Sequence, residues 1–274
     1  MRMMPTMPRR LSNAILVIPV LVVASAAASG CDIAMAHFKE KETSEWRKTY
    51  DLQPGGRLEI SNVNGKIDVE PVAGNSVEVV AEKSARAASI EAAKEALGRI
   101  EIQESASPSN VKIETKLQRV TGGFFNGSSQ EVHYLVKVPA ALEVRFSTVN
   151  GGIELTGLKG RIFAETTNGG VKAHDVSGTI DASTTNGGVE VELARVAESG
   201  VKLGCTNGGI TLRLPADAKA TISARITNGG ISTSGINIEK VGEASRRRLE
   251  GTLNGGGPRI DLEGTNGGIR IGSR

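Results

Sequence analysis

Aromatic residues are nearly missing from this chain: one Trp, two Tyr and five Phe make up 3% of 274 residues. Thick globular cores take much of their buried area from rings. A chain without them must build a thin core from many small aliphatic layers, which favours stacked β-structure. Cysteine is almost as scarce. Cys31 and Cys205 are the only two, so no disulfide framework holds the fold. The three His, at 37, 133 and 174, have no second His or Cys at ligand spacing, and H-E-x-x-H and C-x-x-C do not occur. No metal and no cofactor is expected. The phosphate-cradling patterns G-x-G-x-x-G ahead of a helix and G-x-x-x-x-G-K-[ST] are missing too.

An excess of charge is also lacking once the first thirty residues are set aside. Arg2, Arg9 and Arg10 precede every acidic residue and account for the formal net charge of +3. Removing them from 33 basic residues leaves 30, against 30 acidic ones. A neutral chain with few rings offers neither the positive field nor the stacking platforms that nucleic acids need, so no nucleic-acid partner is expected.

Residues 1–30 have the layout of an export signal. A basic start is followed by the apolar, small-residue run Ala14 to Ala28, too short for a comfortable membrane span. Ala28-Ser29-Gly30-Cys31 resembles a bacterial lipobox, although Leu is usual where Ala28 stands. Cys31 is the expected lipidation site and would anchor the chain to a membrane. Ordinary cleavage near Ala28, leaving a soluble exported protein, is the alternative. The expected organisation is a signal peptide over 1–30, a linker over 31–44 and a β-repeat domain over 45–274.

Glycine is abundant, with 34 residues, and much of it stands in one repeated turn. Thr-Asn-Gly-Gly occurs at 167–170, 185–188, 206–209, 227–230 and 265–268, with a near-copy at 149–152. The turn asparagines are Asn150, Asn168, Asn186, Asn207, Asn228 and Asn266; Asn254 opens a variant turn, and Asn64 fits the same frame. Spacings of 18, 18 and 21 residues are those of a solenoid. Strict alternation flanks each turn. Ile162, Ala164 and Thr166 precede Asn168, Val171 and Ala173 follow it, and Glu165 and Lys172 fall between. Each repeat therefore holds two short strands with one face inward. A second corner is expected at Gly160, Gly178 and Gly200.

Asn-Gly between alternating strands also suits an antiparallel meander. Only a solenoid gives the asparagines a reason to recur, because their amides can then stack in a file. The expected fold is a mainly β, β-helix-like or β-roll-like solenoid of about 18–21-residue coils. Asn168, Asn186, Asn207 and Asn228 should lie one rung apart, at ~4.8 Å. Cys205 takes the slot of Thr166 and Thr184 and should be inward and inert.

Three stretches break the pattern. Ser89 is a plausible N-cap for one helix over 85–98, with Ile90, Ala93 and Leu97 on one side. It should cover an open end or face of the β-structure. Strands follow at 100–104, 111–117 and 132–138, with a long loop over 118–130. Asn254 to Pro258 is expected to be a hairpin tip joining 249–253 to 259–263, a cap that ends the stack. Arg246-Arg247-Arg248 has the makings of an acidic-ligand patch, but Glu243 and Glu250 beside it favour a solvated strand entry.

The exported start, the strand Gly55 to Ile60, the repeated Asn-Gly turns, the inserted helix and the closing Gly251 to Pro258 segment come in an order that resembles a known group. This group is the bacterial β-strand-repeat envelope proteins regarded as candidate adhesins, which carry a domain of unknown function. The resemblance spans roughly residues 45–274. It implies a β-solenoid-like fold, an envelope location and no catalytic residues; some relatives sit near envelope-stress regulators. Calcium at the turns is not expected, because Asn and Thr stand where carboxylates would be needed. Asp175 with Asp181, or Glu190 with Glu192, could pair as in a glycosidase, yet outward acids serve solubility equally well. The expected function is a non-catalytic, membrane-anchored envelope scaffold. It would face the periplasm or exterior and bind an envelope protein or a glycan. An accessory in envelope-stress signalling is the alternative, and a carbohydrate-active enzyme a distant third.

The anchor is directly testable. The full chain should incorporate a labelled lipid precursor, and Cys31→Ala should abolish the label. An unlabelled wild-type chain would leave only signal cleavage.

Overall fold

A computed structural model describes residues 39–118, 127–241 and 245–274. It is mainly β. The strands are β1 (Glu40–Asp51), β2 (Arg57–Asn64), β3 (Ile67–Val72) and β4 (Ser76–Ala87), then helix α1 (Ile90–Gly98). They continue as β5 (Ile100–Ser107), β6 (Asn110–Leu117), β7 (Ser129–Pro139), β8 (Glu143–Asn150), β9 (Ile153–Thr156), β10 (Ile162–Asn168) and β11 (Val171–Val176). The last are β12 (Ile180–Asn186), β13 (Val189–Leu193), β14 (Val201–Leu214), β15 (Ala220–Ser234), β16 (Ile238–Lys240), β17 (Arg248–Leu253) and β18 (Arg259–Ser273).

Pairing sorts them into two faces that meet at the Asn-Gly corner. One runs β5-β6-β2-β8-β10-β12-β14-β18-β15-β17-β16. The other runs β1-β4-β7-β3-β9-β11-β13-β14-β18-β15, with β14, β15 and β18 passing through the corner into both. The middle of each face is parallel; antiparallel strands close both ends of the first face and the N-terminal end of the second, whose other end is β15. This is a β-solenoid-like stack. In it Ile162 pairs with Val144 on one side and with Ile180 on the other, and Ile180 in turn with Val201.

The register turns the alternation of the sequence into columns. Leu58, Val144, Ile162, Ile180, Val201, Ile260 and Ile222 share one buried column on the first face. Ile67, Ile153, Val171, Val189, Ile210 and Ile269 form its counterpart across the corner. Each such side chain contributes about 1.5–3 kcal/mol by leaving water. Layers this small need no rings: Phe146 sits beside Ala164, which sits beside Ala182.

Two expectations are corrected at the C-terminal end. Asn228 does not follow Asn207; β18 enters between β14 and β15, so the file reads Asn207, Asn266, Asn228. The second half of each strand gives the reason. β18 brings Ile269 and Ile271, both fully buried, whereas β15 brings Ile231-Ser232-Thr233-Ser234, of which the last three are exposed. The apolar strand takes the interior rung and the polar one the end. Secondly, residues 249–253 and 259–263 do not form a hairpin. β17 pairs antiparallel with one edge of β15, and β18 pairs parallel with the other. Asn254-Gly255-Gly256 is an arch over β15, with three successive positive φ values of 50, 85 and 86°. The side-chain amide of Asn254 donates to the carbonyls of Ala216 and Ala218 at 3.0 and 2.8 Å. β17 and β16 lie outermost on the first face.

At the N-terminal end the helix is shorter than the expected 85–98. Residues 85–87 belong to β4, and α1 starts at Ile90, with Ser89 Oγ accepting from the Ala92 amide at 3.2 Å. The helix buries Ala93 and Ala96 and packs mainly on β4 and β1. β1 begins at Glu40, ahead of the expected domain start at 45.

The close stacking of rungs makes a sharp prediction. Gly187 has φ 148°, and a methyl group there would lie 1.9 Å from the Gly169 carbonyl oxygen. Gly255 has φ 85° with open space around it. Gly187→Ala should therefore cost about 3 kcal/mol or more, and Gly255→Ala only about 1 kcal/mol. Denaturant melts of the two variants check the difference.

Candidate functional site

The feature that every coil contributes is the Asn-Gly corner. Each asparagine amide donates from Nδ2 to Oδ1 of the next asparagine in the file: Asn150 to Asn64, Asn168 to Asn150, Asn186 to Asn168, Asn207 to Asn186, Asn266 to Asn207 and Asn228 to Asn266. The distances are 2.7–2.9 Å. All six bonds point the same way, and Asn64 closes the run on the Gln130 carbonyl at 3.1 Å. Amide ladders of this kind recur wherever identical rungs stack at strand spacing, and a one-way chain polarises each bond in the same sense. The asparagines themselves are not in the positive-φ region. The following glycine carries that conformation at every corner of the file except that of Gly151, and the amide serves the file.

Behind the file runs an inner column. Thr166 and Thr184 hydroxyls donate at 2.8 Å to the carbonyls of Gly151 and Gly169, the corner glycines one rung back. Thr148 does the same to Gly65 at 3.3 Å. These carbonyls are turned away from the strand ladder and are buried at Gly65 and half-buried at Gly151 and Gly169, so the hydroxyls supply partners that burial demands. Cys205 occupies the next slot, 6% exposed, with Sγ 3.3 Å from the Gly187 carbonyl. Burial pushes its thiol pKa up, which lowers the thiolate fraction at neutral pH and makes it inert. In the last two slots Gly264 leaves room that Ile226 fills.

The other residues singled out in the sequence are brought together only partly. Glu190 pairs with Arg213 at 3.1 Å, and Glu192 and Asp175 both pair with Arg274, at 2.8 and 2.9 Å. Asp181 stands on β12 between Phe163 and Lys202, remote in register from Asp175. Neither acidic pair is thus a free carboxylate dyad. His174 lies 4.0 Å from Glu192 on the outer face. Arg248 pairs with Glu250, which also takes Arg225, whereas the Arg246 and Arg247 carbonyls accept from Ile231 and Ile226 and close the last corner. Among the described residues no group of three His, Cys, Asp or Glu could hold a metal. Cys31, His37 and the signal lie outside the described residues.

Sequence reasoning missed the N-terminal part of the second face. There β4 and β7 place Val80 and Leu135 on the outward side of the sheet, in register with Arg47 and Asp68; Leu135 is exposed and Val80 is covered. His133, beside them, lies 2.7 Å from Asp68 and 3.6 Å from Glu82. A phase count along Val77-Glu78-Val79-Val80-Ala81 carries the signal, since Val80 breaks the polar side of the alternation.

Residues 48–272 match the model of a family described as Toastrack DUF4097. A search of curated proteins finds no match. Solved structures with a similar course include a candidate cell adhesion protein from Clostridium sporogenes, at 11% identity and TM-score 0.43, covering 84% of this chain and all of that one. A candidate adhesin from Bacteroides fragilis has 10% identity and TM-score 0.39, covering 84% of this chain and 97% of that one. A candidate lipid binding protein from Parabacteroides distasonis has 12% identity and TM-score 0.27, covering 86% and 97%.

The direction of the amide file can be read by titration. Asn186→Asp keeps the acceptor for Asn207 but loses the donor to Asn168 whenever the carboxyl is ionised. Only the protonated form donates, so the folded state raises the pKa of that carboxyl. The stability it supplies is present at low pH and lost as pH rises through the folded pKa. Relative to wild type, the variant should be weaker at pH 7 than at pH 4. Asn186→Ala should cost about 1–2 kcal/mol at either pH, and Thr184→Val, which orphans a half-buried carbonyl, about 1–2 kcal/mol. Urea melts at both pH values check all three.

Proposed function

The chain belongs to the Toastrack DUF4097 family, and on that premise we propose that it is a non-catalytic binding scaffold of the cell envelope, an adhesin or a dock for another envelope component. It is exported and held to a membrane through Cys31, and its rod is built from coils of about 18–21 residues. The observation that carries this reading is the corner file, in which each coil presents the same neutral amide and bare glycine at strand spacing. Such an array is rigid and chemically quiet. It offers hydrogen-bond donors and acceptors at fixed intervals, which suits recognition of an extended or repetitive partner. Catalysis asks for something different: convergent groups with pKa values moved towards their task. The acids best placed for hydrolysis, Glu190 and Glu192, are instead tied to Arg213 and Arg274.

The test compares wild-type cells with a deletion strain and with the strain restored by the full chain. The readout is attachment to purified envelope glycans and to host-type surfaces, assayed together with release of new reducing ends. Saturable attachment that depends on the chain and consumes no glycan is expected. Chain-dependent release of reducing ends, lost in a Glu190→Gln, Glu192→Gln variant, would make it an enzyme and end the proposal.

A further inference from the structure

Outward positions on the second face are polar along the parallel rungs: Glu154, Lys172, Glu190, Thr211 and Arg270 follow one another in register. The row changes character at the N-terminal end. Arg47 on β1 stands opposite Val80 on β4, Val80 opposite Leu135 on β7, and Leu135 opposite Asp68 on β3. Val80 points outward in phase yet is only 7% exposed, so it forms the floor of a concavity; Leu135 beside it is 37% exposed. The hollow measures about 430 Å³.

Its rim is charged and unbalanced. The row above carries Glu45, Glu82 and His133; the row below carries Glu78, Lys137 and Glu70. In all, the hollow is lined by six carboxylates and three cations. The cations are partly spent within the rim: Arg47 pairs with Glu78 at 2.6 Å, and Lys66 bridges Asp68 and Glu154 at 2.7 and 2.8 Å. Glu82, whose neighbour is His133 at 3.6 Å, and Glu70 are left without a Lys or Arg partner among the described residues. An apolar floor inside a net acidic rim gives both a contact that excludes water and a field that selects sign.

We infer that this hollow docks an extended protein segment in which an aliphatic residue is flanked, two positions away on either side, by lysine or arginine. Alternate residues of an extended chain share one face, so the aliphatic side chain covers Val80 and Leu135 while the two cations reach the carboxylates of the flanking rows, two residues along the strands on either side. The inference rests on the reading of the chain as a binding scaffold and gives that scaffold a site and a partner chemistry.

The test uses the full chain and three synthetic peptides of roughly seven residues, long enough to cross the three rows. The Lys-Val peptide reads Ser-Lys-Ser-Val-Ser-Lys-Ser; the Glu-Val peptide has Glu in place of both Lys, and the Lys-Ser peptide has Ser in place of Val. Binding is followed by calorimetry at low and physiological salt. The Lys-Val peptide should bind saturably and weaken as salt rises; the Glu-Val peptide should not bind, and the Lys-Ser peptide should bind at least about tenfold more weakly. Leu135→Lys should lower the Lys-Val affinity at least about tenfold, and Glu82→Gln by a smaller factor. Unchanged melting curves show that the variants remain folded, and Glu82→Gln alone decides if Leu135→Lys does not fold. Equal binding of Lys-Val and Lys-Ser, no effect of either variant, or preference for the Glu-Val peptide would overturn the site. If Leu135→Lys and Glu82→Gln leave cell attachment intact, the hollow is wrong while the scaffold reading stands. Turnover of a glycan would remove the scaffold reading independently.

Discussion

The fold depends on a carbonyl oxygen standing where a side chain would otherwise be. Along the corner, the glycine after each asparagine from Gly151 through Gly169, Gly187, Gly208 and Gly267 to Gly229 rests against the carbonyl of the equivalent glycine one rung back, and Gly65 rests against that of Val132. A Cβ at any of these points would occupy the space of that oxygen. Two consequences follow from the one constraint. The rungs can approach to strand spacing at a bend, where side chains would normally hold them apart. The carbonyl also faces the inside of the corner, away from the strand ladder, and needs a donor there. Thr148, Thr166 and Thr184 supply it, and Cys205 supplies a weaker one. Glycine column, hydroxyl column and amide file are three parts of one solution to burying a sharp turn.

With the corner fixed, the remaining side chains have little freedom of role. Inward positions lie at one of a few depths, and each depth is a column of near-identical aliphatics. A thin core of this kind gains stability by adding rungs, not by enlarging layers. Outward positions at the same depth also become neighbours, and the charges respond to that. Lys112 approaches Glu59 at 3.7 Å, Arg57 meets Glu143 at 2.6 Å, and Arg145 covers the ring of Phe163 at 3.8 Å. Exposed pairs of this sort add little individually; along the parallel rungs the signs alternate in places, as in Glu154, Lys172 and Glu190, whereas Asp68 lies beside Glu154.

Much of this was legible in the sequence because the information is local and repeated. Six asparagines at near-constant spacing, with period-two alternation around each, fix which residues are inward and which strands are parallel. Cys205 could be placed inward by its slot alone. The rung order could not be obtained that way. Nothing within residues 259–273 says that they lie between β14 and β15, since the same columns would accept β18 at the end of the stack. The decision lies in a comparison between Ile269-Ile271 and Ser232-Ser234, two segments about forty residues apart. β1 was hidden for a different reason: Glu40–Asp51 is charged on both sides of the pleat, and its edge position is what permits that. The helix start was misplaced because Ala85 and Ala87 suit a helix and a buried strand equally well; pairing with β1 and β7 settles the matter.

The ends of the stack show why the insertions exist. A run of parallel rungs leaves an open column of apolar side chains and unpaired backbone at each terminus, which invites pairing with other chains. At the N-terminal end most of the chain between Asn64 and Asn150, which stand 86 positions apart, is spent on this problem. β6 and β7 continue the two faces by one rung. β5, β4 and β1 then reverse direction, so the last strand of each face runs antiparallel to its neighbour. Tyr134, the largest fully buried side chain, spans the interior there, and its hydroxyl meets Thr115 at 2.7 Å. At the other end the polar half of β15 faces water directly, and β17 covers only the apolar half. Both ends therefore use the same physical rule, that an edge must be polar or be covered. The first end applies it with added elements and the second with serine and threonine, so the regular corner is left as the one surface that all the rungs share.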